Sequence, residues 1–373
     1  MKYLFVLGRN AILSKAEVFS YFEKEENKIL NSEENGNGLL VELTHPLPLN
    51  SIRFFGGVVA IGEVISEVNI KELEKDLDKI NLYSGTENKL NYALWSFSEN
   101  FDEFQDYLKA RFKKEKLKAT LKHLTRNVDL QSGGKLEIPS SKLIDEEFFI
   151  FDGKGKTFFG KITQNPDYSK MEERDMEKPV RRESLAISPR LSKILINLSK
   201  VKKDETLIDP FCGIGVLLSE ALLLGIKVIG IDKDKDAING AKQNLEWFKF
   251  KKENYKLLNS DSTKVGGEKG SAIATEPDLG KTLKKMPTKN EAKKTLESFE
   301  NLIIGVINNF KGNISGRIVF SSPYIRIGKE RLKCNIEKIL EKTGYELKYE
   351  IPEYRENQFV GRVIYVLEKR VKK

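Results

Sequence analysis

Residues 207–215, Leu-Ile-Asp-Pro-Phe-Cys-Gly-Ile-Gly, constrain this chain more than any other stretch. An apolar run ends in Asp209, turns through Pro210 and two glycines, and enters a helical pattern over residues 216–224. Gly213 and Gly215 lack Cβ atoms, so the backbone can lie against a ligand and the turn can take a positive φ. A second strand pattern, residues 227–231, ends in Asp232. An acid there is placed to accept from the two hydroxyls of a ribose. The segment therefore reads as an adenosine-binding βαβ unit.

A dinucleotide fingerprint would require a third glycine three positions after Gly215, where Leu218 stands. It also has no use for an acid and a proline ahead of the first glycine. Asp209 suits a ligand carrying a cationic ammonium and sulfonium in place of a pyrophosphate. The run resembles the first motif of class I S-adenosylmethionine-dependent methyltransferases, in the D-P-F-C-G-x-G form found among RNA methylases. Asp209, Phe211, Gly213 and Gly215 are then the residues expected to cradle the methionine part.

The 373 residues are enough for about two or three domains. A hydrophobic fraction of 39% and 21 Phe furnish cores, and 32% charged residues argue against a membrane protein. No apolar run approaches bilayer-spanning length, so no membrane partner is expected. Residues 1–8 hold too few apolar positions for a secretory signal and read as a first strand. Two cysteines, Cys212 and Cys334, make neither a disulfide framework nor a metal site, and suit a reducing cytoplasm. With only His45 and His123, neither zinc nor histidine-based catalysis is expected. The net charge of +9 points to a polyanionic partner.

The pattern along the chain predicts strand 2–7, helix 14–24, and strand-like pieces on either side of an Asn/Gly-rich stretch at 31–38. A second apolar stretch covers 49–65, followed by helix 71–82, strand 91–98, a long helix 101–123 and a hairpin of 148–152 with 156–163. Residues 1–68 are expected as a ferredoxin-like α+β unit, 69–165 as a second unit and 166–186 as a linker. From residue 187 to 373 the pattern becomes regularly alternating. Strands are expected to end near Asp209, Asp232, Asn259, Thr275 and Phe320, with helices at 190–198, 235–248, 291–310 and 329–342. Two last strands, 345–351 and 360–367, make a hairpin. The fold class is α/β, a doubly wound Rossmann-like sheet with a terminal antiparallel hairpin, which is the methyltransferase arrangement.

The expected chemistry falls at successive strand ends, where ligands bind in open α/β sheets. Asp232 would take the ribose, and Asp261 with Ser262, after the third strand, the adenine amino group. After the fourth strand comes Thr275-Glu276-Pro277-Asp278-Leu279-Gly280. Enzymes that methylate an exocyclic amine carry D/N-P-P-Y/F/W there. Such a nitrogen has a delocalised lone pair, so two acceptors must bind its hydrogens and favour a pyramidal geometry. A stiffened proline carbonyl and a stacking aromatic complete the set. Glu276 takes the acid position and Pro277 the carbonyl, while Asp278 replaces the second proline and Leu279 the aromatic residue. Ser321-Ser322-Pro323-Tyr324 is closer to the aromatic form but follows the fifth strand, and reads as structural. For RNA, the expected phosphate contacts are Lys109, Arg111, Lys113, Lys114 and Lys118 on the basic helix, with Arg181 and Arg182 in the linker.

The whole chain resembles the THUMP-containing tRNA guanosine-10 N2-methyltransferase family. The resemblance rests on residues 3–10 (Tyr-Leu-Phe-Val-Leu-Gly-Arg-Asn) with 13–17 (Leu-Ser-Lys-Ala-Glu), and on Arg174-Asp175 with 178–182 (Lys-Pro-Val-Arg-Arg). It also rests on Pro189-Arg190-Leu191-Ser192-Lys193, on 209–215, and on Asn244-Leu245-Glu246-Trp247. It implies S-adenosylmethionine as cofactor, tRNA as partner, a flipped guanine, and a THUMP-like RNA-binding unit at 69–165. An activating protein subunit stays open as a further partner. The altered fourth motif leaves two alternatives: methylation of another RNA amine, or a protein that binds tRNA without modifying it.

Overall fold

The computed structural model describes residues 1–122, 126–129, 135–138, 143–182, 187–279 and 285–370. Residues 123, 183–186 and 280, which fall in the expected long helix, linker and fourth motif, lie outside the described residues. Two compact units emerge, Met1–Lys15, Glu25–Arg53 and Gly57–Pro166 forming the first, and Ala16–Lys24, Phe54–Gly56 and Asp167–Lys373 the second.

The elements up to the end of the first unit are β1 (Lys2–Leu7), α1 (Ala11–Lys24), β2 (Ile29–Asn35), β3 (Gly38–Leu43), β4 (Val58–Val68), α2 (Ile70–Leu77), β5 (Lys89–Phe97) and α3 (Phe101–Lys114). They continue with β6 (Lys118–Leu121), β7 (Arg126–Asp129), β8 (Lys135–Ile138), β9 (Glu146–Asp152) and β10 (Thr157–Gln164). Eight of these strands share one sheet in the order β2-β3-β1-β4-β10-β9-β5-β6, so residues 1–68 and 69–165 contribute to a common sheet. Its two faces are both covered. Alternation along β9 sends Phe149 and Phe151 to a cluster with Leu4, Val6 and Trp95, and Phe148 and Ile150 to one with Leu73, Leu108 and Phe112. The run of apolar residues in β9 is the sequence trace of that double burial.

Two expectations change here. The long helix 101–123 stops at Lys114, because Lys116 takes φ 60° and Leu117 N–H donates to Phe112 O at 2.9 Å. Residues 118–121 then pair in parallel with β5. The Asn/Gly-rich stretch 31–38 is mostly strand, since β2 runs to Asn35, whose Nδ2 donates to the carbonyls of Phe97 and Asp152 at 2.9 and 3.2 Å. The turn is confined to Gly36 (φ 53°) and Asn37.

The second unit continues with α4 (Tyr168–Glu177), which falls within the expected linker, then α5 (Pro189–Leu198), β11 (Thr206–Asp209), α6 (Val216–Leu223), β12 (Lys227–Asp232), α7 (Lys235–Trp247), β13 (Tyr255–Asn259) and β14 (Ala272–Thr275). It ends with α8 (Lys289–Phe310), β15 (Ile318–Ile327), β16 (Glu330–Leu332), α9 (Ile336–Thr343), β17 (Tyr345–Glu353) and β18 (Val360–Lys369). The sheet order is β13-β12-β11-β14-β15-β18-β17, with β16 on the far part of β15. The strands from β13 to β15 are parallel, and β18 and β17 are antiparallel. Helices α8 and α9 pack with one face of the sheet through Phe299, Ile303, Ile307 and Ile339 against Ile208, Phe320 and Tyr365.

Helix starts follow local chemistry. Ser188 caps α5 with Pro189 at its first position, and Thr288 with Glu291 forms a reciprocal box at α8. The fifth strand outruns its expected end at Phe320 and reaches Ile327, so Ser321–Tyr324 lies inside a strand paired with β18. The helix expected over 329–342 is instead β16 followed by α9, which begins after Asn335 accepts from Lys338 N–H. Because the parallel strands share a direction, Asp209, Asp232, Asn259 and Thr275 all end on one sheet edge.

Candidate active site

At that edge the glycine turn is closed by Cys212 N–H to Ile231 O (3.0 Å) and Gly215 N–H to Cys212 O (2.9 Å). Gly213 and Gly215 take φ values of 52° and 83°, a region closed to most side chains. Space above Gly213 is open, since nothing lies within 4 Å of where a Cβ would be, whereas a Cβ on Gly215 would press on Ala241 at 3.3 Å. The turn thus offers bare backbone on its ligand side and tight packing on its helix side.

Asp209 is 2% exposed. Its Oδ1 accepts from Thr275 Oγ1 at 2.6 Å and from Phe211 N–H at 3.1 Å. Burial pushes its carboxyl up to about 7 against those two hydrogen bonds, and the nearby Asp232 and Glu276 add to the rise. Asp232 is stitched to the same turn: Oδ2 accepts from Gly213 N–H at 3.0 Å and Oδ1 from Asp234 N–H at 2.9 Å. Both acids therefore stand where the sequence placed them, one at each side of the turn.

The third strand end is more local in character. Asp261 Oδ1 accepts from Thr263 N–H (3.0 Å) and Thr263 Oγ1 (2.8 Å), and these bonds hold its carboxyl below the usual range. Ser262 is buried, donates to Pro210 O, and has its own carbonyl held by Asn309 Nδ2 at 2.9 Å. Its hydroxyl thus fastens this loop to the glycine turn.

Beyond the fourth strand, Glu276 Oε1 accepts from Ser321 Oγ at 3.2 Å and lies 2.8 Å from Arg362 Nε. Burial raises its carboxyl above the ordinary value, and Arg362 and Ser321 oppose that rise. Pro277 is buried, Asp278 exposed and Leu279 half-buried. Three acids, Asp209, Asp232 and Glu276, so gather at the ends of β11, β12 and β14, an electrostatic setting that favours a cationic ligand. Arg362 was not singled out from the sequence, Thr275 only as a strand end, and Ser321 only within a tetrapeptide read as structural. Arg362 did leave a trace, as the one charged residue in the otherwise apolar strand pattern Val360–Leu367.

Of the expected RNA contacts, Lys109, Lys113, Lys114 and Lys118 are exposed. Arg111 is a correction. Its side chain is only 6% exposed, and its guanidinium donates to the carbonyls of Leu77 and Ile80 and pairs with Glu115 at 2.9 Å. It closes the α2 end and belongs to the apolar stripe of α3, so it is not on a phosphate-facing surface. In the second unit Arg181 is exposed, and Arg182 pairs with Asp234 at 2.9 Å.

Residues 179–305 match the family model of the RMKL-like methyltransferase domain, UPF0020. Over 144 residues the chain is 34% identical to the tRNA (guanine(10)-N2)-dimethyltransferase of Pyrococcus abyssi, an alignment covering 37% of this chain and 41% of that protein. The corresponding protein of Methanocaldococcus jannaschii is 35% identical over 122 residues, 31% of this chain and 34% of its own length. Human tRNA (guanine(10)-N(2))-methyltransferase TRMT11 is 29% identical over 132 residues, 30% and 28% respectively. The chain thus spans less than half the length of these curated relatives. TrmN from Thermus thermophilus shares the fold with a TM-score of 0.55 and 13% identity, covering 99% of this chain and 100% of that one. A possible methylase from Clostridium difficile 630 does so at 0.53 and 14%, covering 100% and 98%. The methyltransferase resemblance expected from the motifs is borne out by this family model over residues 179–305 and by these relatives, and the solved structures share the α/β fold.

Proposed function

We propose that this chain is an S-adenosylmethionine-dependent RNA methyltransferase acting on the exocyclic N2 of a guanosine in tRNA, in the cytoplasm. The observation that carries the reading is the meeting of the buried Asp209 with Glu276, whose side chain is 10% exposed, beside a positive-φ glycine turn where the parallel strands end. The site residues fit the donor. A cationic ammonium and sulfonium complement the acidic setting, the open side of Gly213 admits close backbone contact, and Asp232 has a carboxylate for ribose hydroxyls. Asp209, Phe211, Gly213 and Gly215 would hold the methionine part, Asp232 the ribose, and Asp261 with Ser262 the adenine side. When bound, the donor supplies an electrophilic methyl on sulfur and leaves as a neutral thioether.

Glu276 and the Pro277 carbonyl are the acceptors in reach of the amine hydrogens. By binding them they localise the nitrogen lone pair and aim it, and positioning of this kind is the largest contribution such a site makes. Leu279 contacts a base without π-stacking, so the flipped guanine depends more on these polar contacts. The names of the curated relatives favour guanine at position ten of tRNA as the target. Residues 69–165 are proposed as the THUMP-like module, with Lys109, Lys113, Lys114 and Lys118 on phosphates.

The test is nucleoside mass spectrometry of total tRNA from cells with and without the gene. Loss of an N2-methylated guanosine supports the proposal, and an unchanged nucleoside profile refutes it. Activity of the purified chain alone would also remove the need for an activating subunit.

A further inference from the structure

Arg362 has no part in the motifs that define the site, yet it reaches the residue proposed to receive the amine. It sits on β18, opposite Pro323 of β15 and Glu353 of β17, next to the neighbours of Ser321 on the same strand pair. Its Nε lies 2.8 Å from Glu276 Oε1, and the same oxygen accepts from Ser321 Oγ at 3.2 Å. Both anchors thus act on one oxygen and leave Oε2 as the atom that these two side chains do not hold.

That division answers a steric question posed by the sequence. A glutamate carries one methylene more than the aspartate of the usual motif, and therefore one more rotatable bond and a longer reach. Left alone it would sample several rotamers, and each would put the acceptor somewhere else. A guanidinium is rigid and always charged, so a carboxylate oxygen 2.8 Å from its Nε is drawn towards it by charge and kept as an acceptor, although the Nε–H is not aligned for a hydrogen bond. The buried surroundings make that anchor more important, because an unpaired carboxylate there would take up a proton and become a donor.

Resting on the methyltransferase reading above, we propose that Arg362 is a positioning residue for the transfer step, clamping Glu276 through Oε1 so that Oε2 faces the amine. The proton that the amine loses on methylation passes to Glu276 Oε2 and from there to water. The charged and titratable groups facing Glu276 are Arg362 from β18 and Asp209 from β11, with the Ser321 hydroxyl from β15.

The test uses the full chain and the variants Arg362→Met and Arg362→Lys, with Glu276→Gln to assign the Glu276 carboxyl carbon in a 13C-glutamate-labelled sample. In Arg362→Met the titration midpoint of that carbon should rise by about one pH unit or more, with Arg362→Lys between it and the parent. Single-turnover transfer should fall about 10-fold or more in Arg362→Met, with the KM for tRNA and the affinity for S-adenosylhomocysteine nearly unchanged and partial rescue in Arg362→Lys. An unshifted carbon midpoint overturns the proposal. So does a defect confined to the KM for tRNA, which would make Arg362 a phosphate contact. If the parent protein methylates no RNA, the functional reading fails by itself, while the carbon titration still decides whether Arg362 holds Glu276. Should Arg362→Met fail to fold, the Arg362→Lys midpoint carries the decision: unchanged from the parent, it overturns the proposal.

Discussion

The Thr275 hydroxyl donates a 2.6 Å hydrogen bond to Asp209 Oδ1, tying the end of β14 to the end of β11. One bond therefore couples the strand that carries the proposed acceptor to the turn that would hold the donor. Replacing Thr275 with valine keeps the shape and removes this donor from a buried carboxylate. The expected loss of stability is about 1–3 kcal/mol by thermal unfolding, together with weaker S-adenosylhomocysteine binding by calorimetry. Unchanged stability and affinity would show that the bond does no more than fill space.

The buried Asp209 carboxyl titrates at about 7, above its unfolded value of 3.8. A raised folded value means that its contribution to stability is present below the unfolded value and is lost as pH rises through about 7. Asp209→Asn should therefore make the unliganded protein more stable than the parent above pH 7, by on the order of 1 kcal/mol or more, with the difference fading towards pH 4. Donor affinity should move the other way. In the parent it should fall as pH drops below about 7, and in Asp209→Asn it should be weak at every pH. Thermal melts and calorimetry across pH 5–9 read both trends, and a parent affinity that is flat with pH would contradict the charge-complementarity argument.

The α3 surface gives a contrast between neighbours. Removing Lys113 and Lys114 should weaken tRNA binding and flatten its salt dependence by about one unit of slope per lost contact, leaving the melting temperature unchanged. Arg111→Ala should instead strand the carbonyls of Leu77 and Ile80, costing about 1–3 kcal/mol of stability with the salt slope intact. Equal salt slopes in all variants would place the RNA elsewhere.

That contrast shows where the sequence could be read and where it could not. The strand ends at Asp209, Asp232, Asn259 and Thr275 were legible, because apolar runs closed by acids, glycines and prolines are local signals. Arg111 was misread although its position was informative: it falls on the stripe of Phe104 and Leu108, and a count of charges along α3 overlooks that periodicity. Residues 118–121 depend on the free edge of β5, and β16 on the extension of β15, so both are decided by partners distant in the chain. The same holds for the site. The glycine turn and its two acids follow from one contiguous motif, whereas the contact of Glu276 with Ser321 and Arg362 exists only once β14, β15 and β18 lie side by side.

Glu276→Ala separates binding from chemistry. S-adenosylhomocysteine affinity should stay within about 2-fold of the parent, because the residue is proposed to face the amine and not the donor, while turnover should fall about 100-fold or more. Turnover at the parent rate would remove Glu276 from the mechanism.

The most direct measurement incubates unmodified tRNA with the purified protein and S-adenosylmethionine carrying an isotope-labelled methyl group, then digests the RNA for mass spectrometry. Labelled N2-methylguanosine is expected with the parent protein, and about 100-fold less or lower with Glu276→Ala. Label in no nucleoside, from a protein that binds both the donor and tRNA, would contradict it.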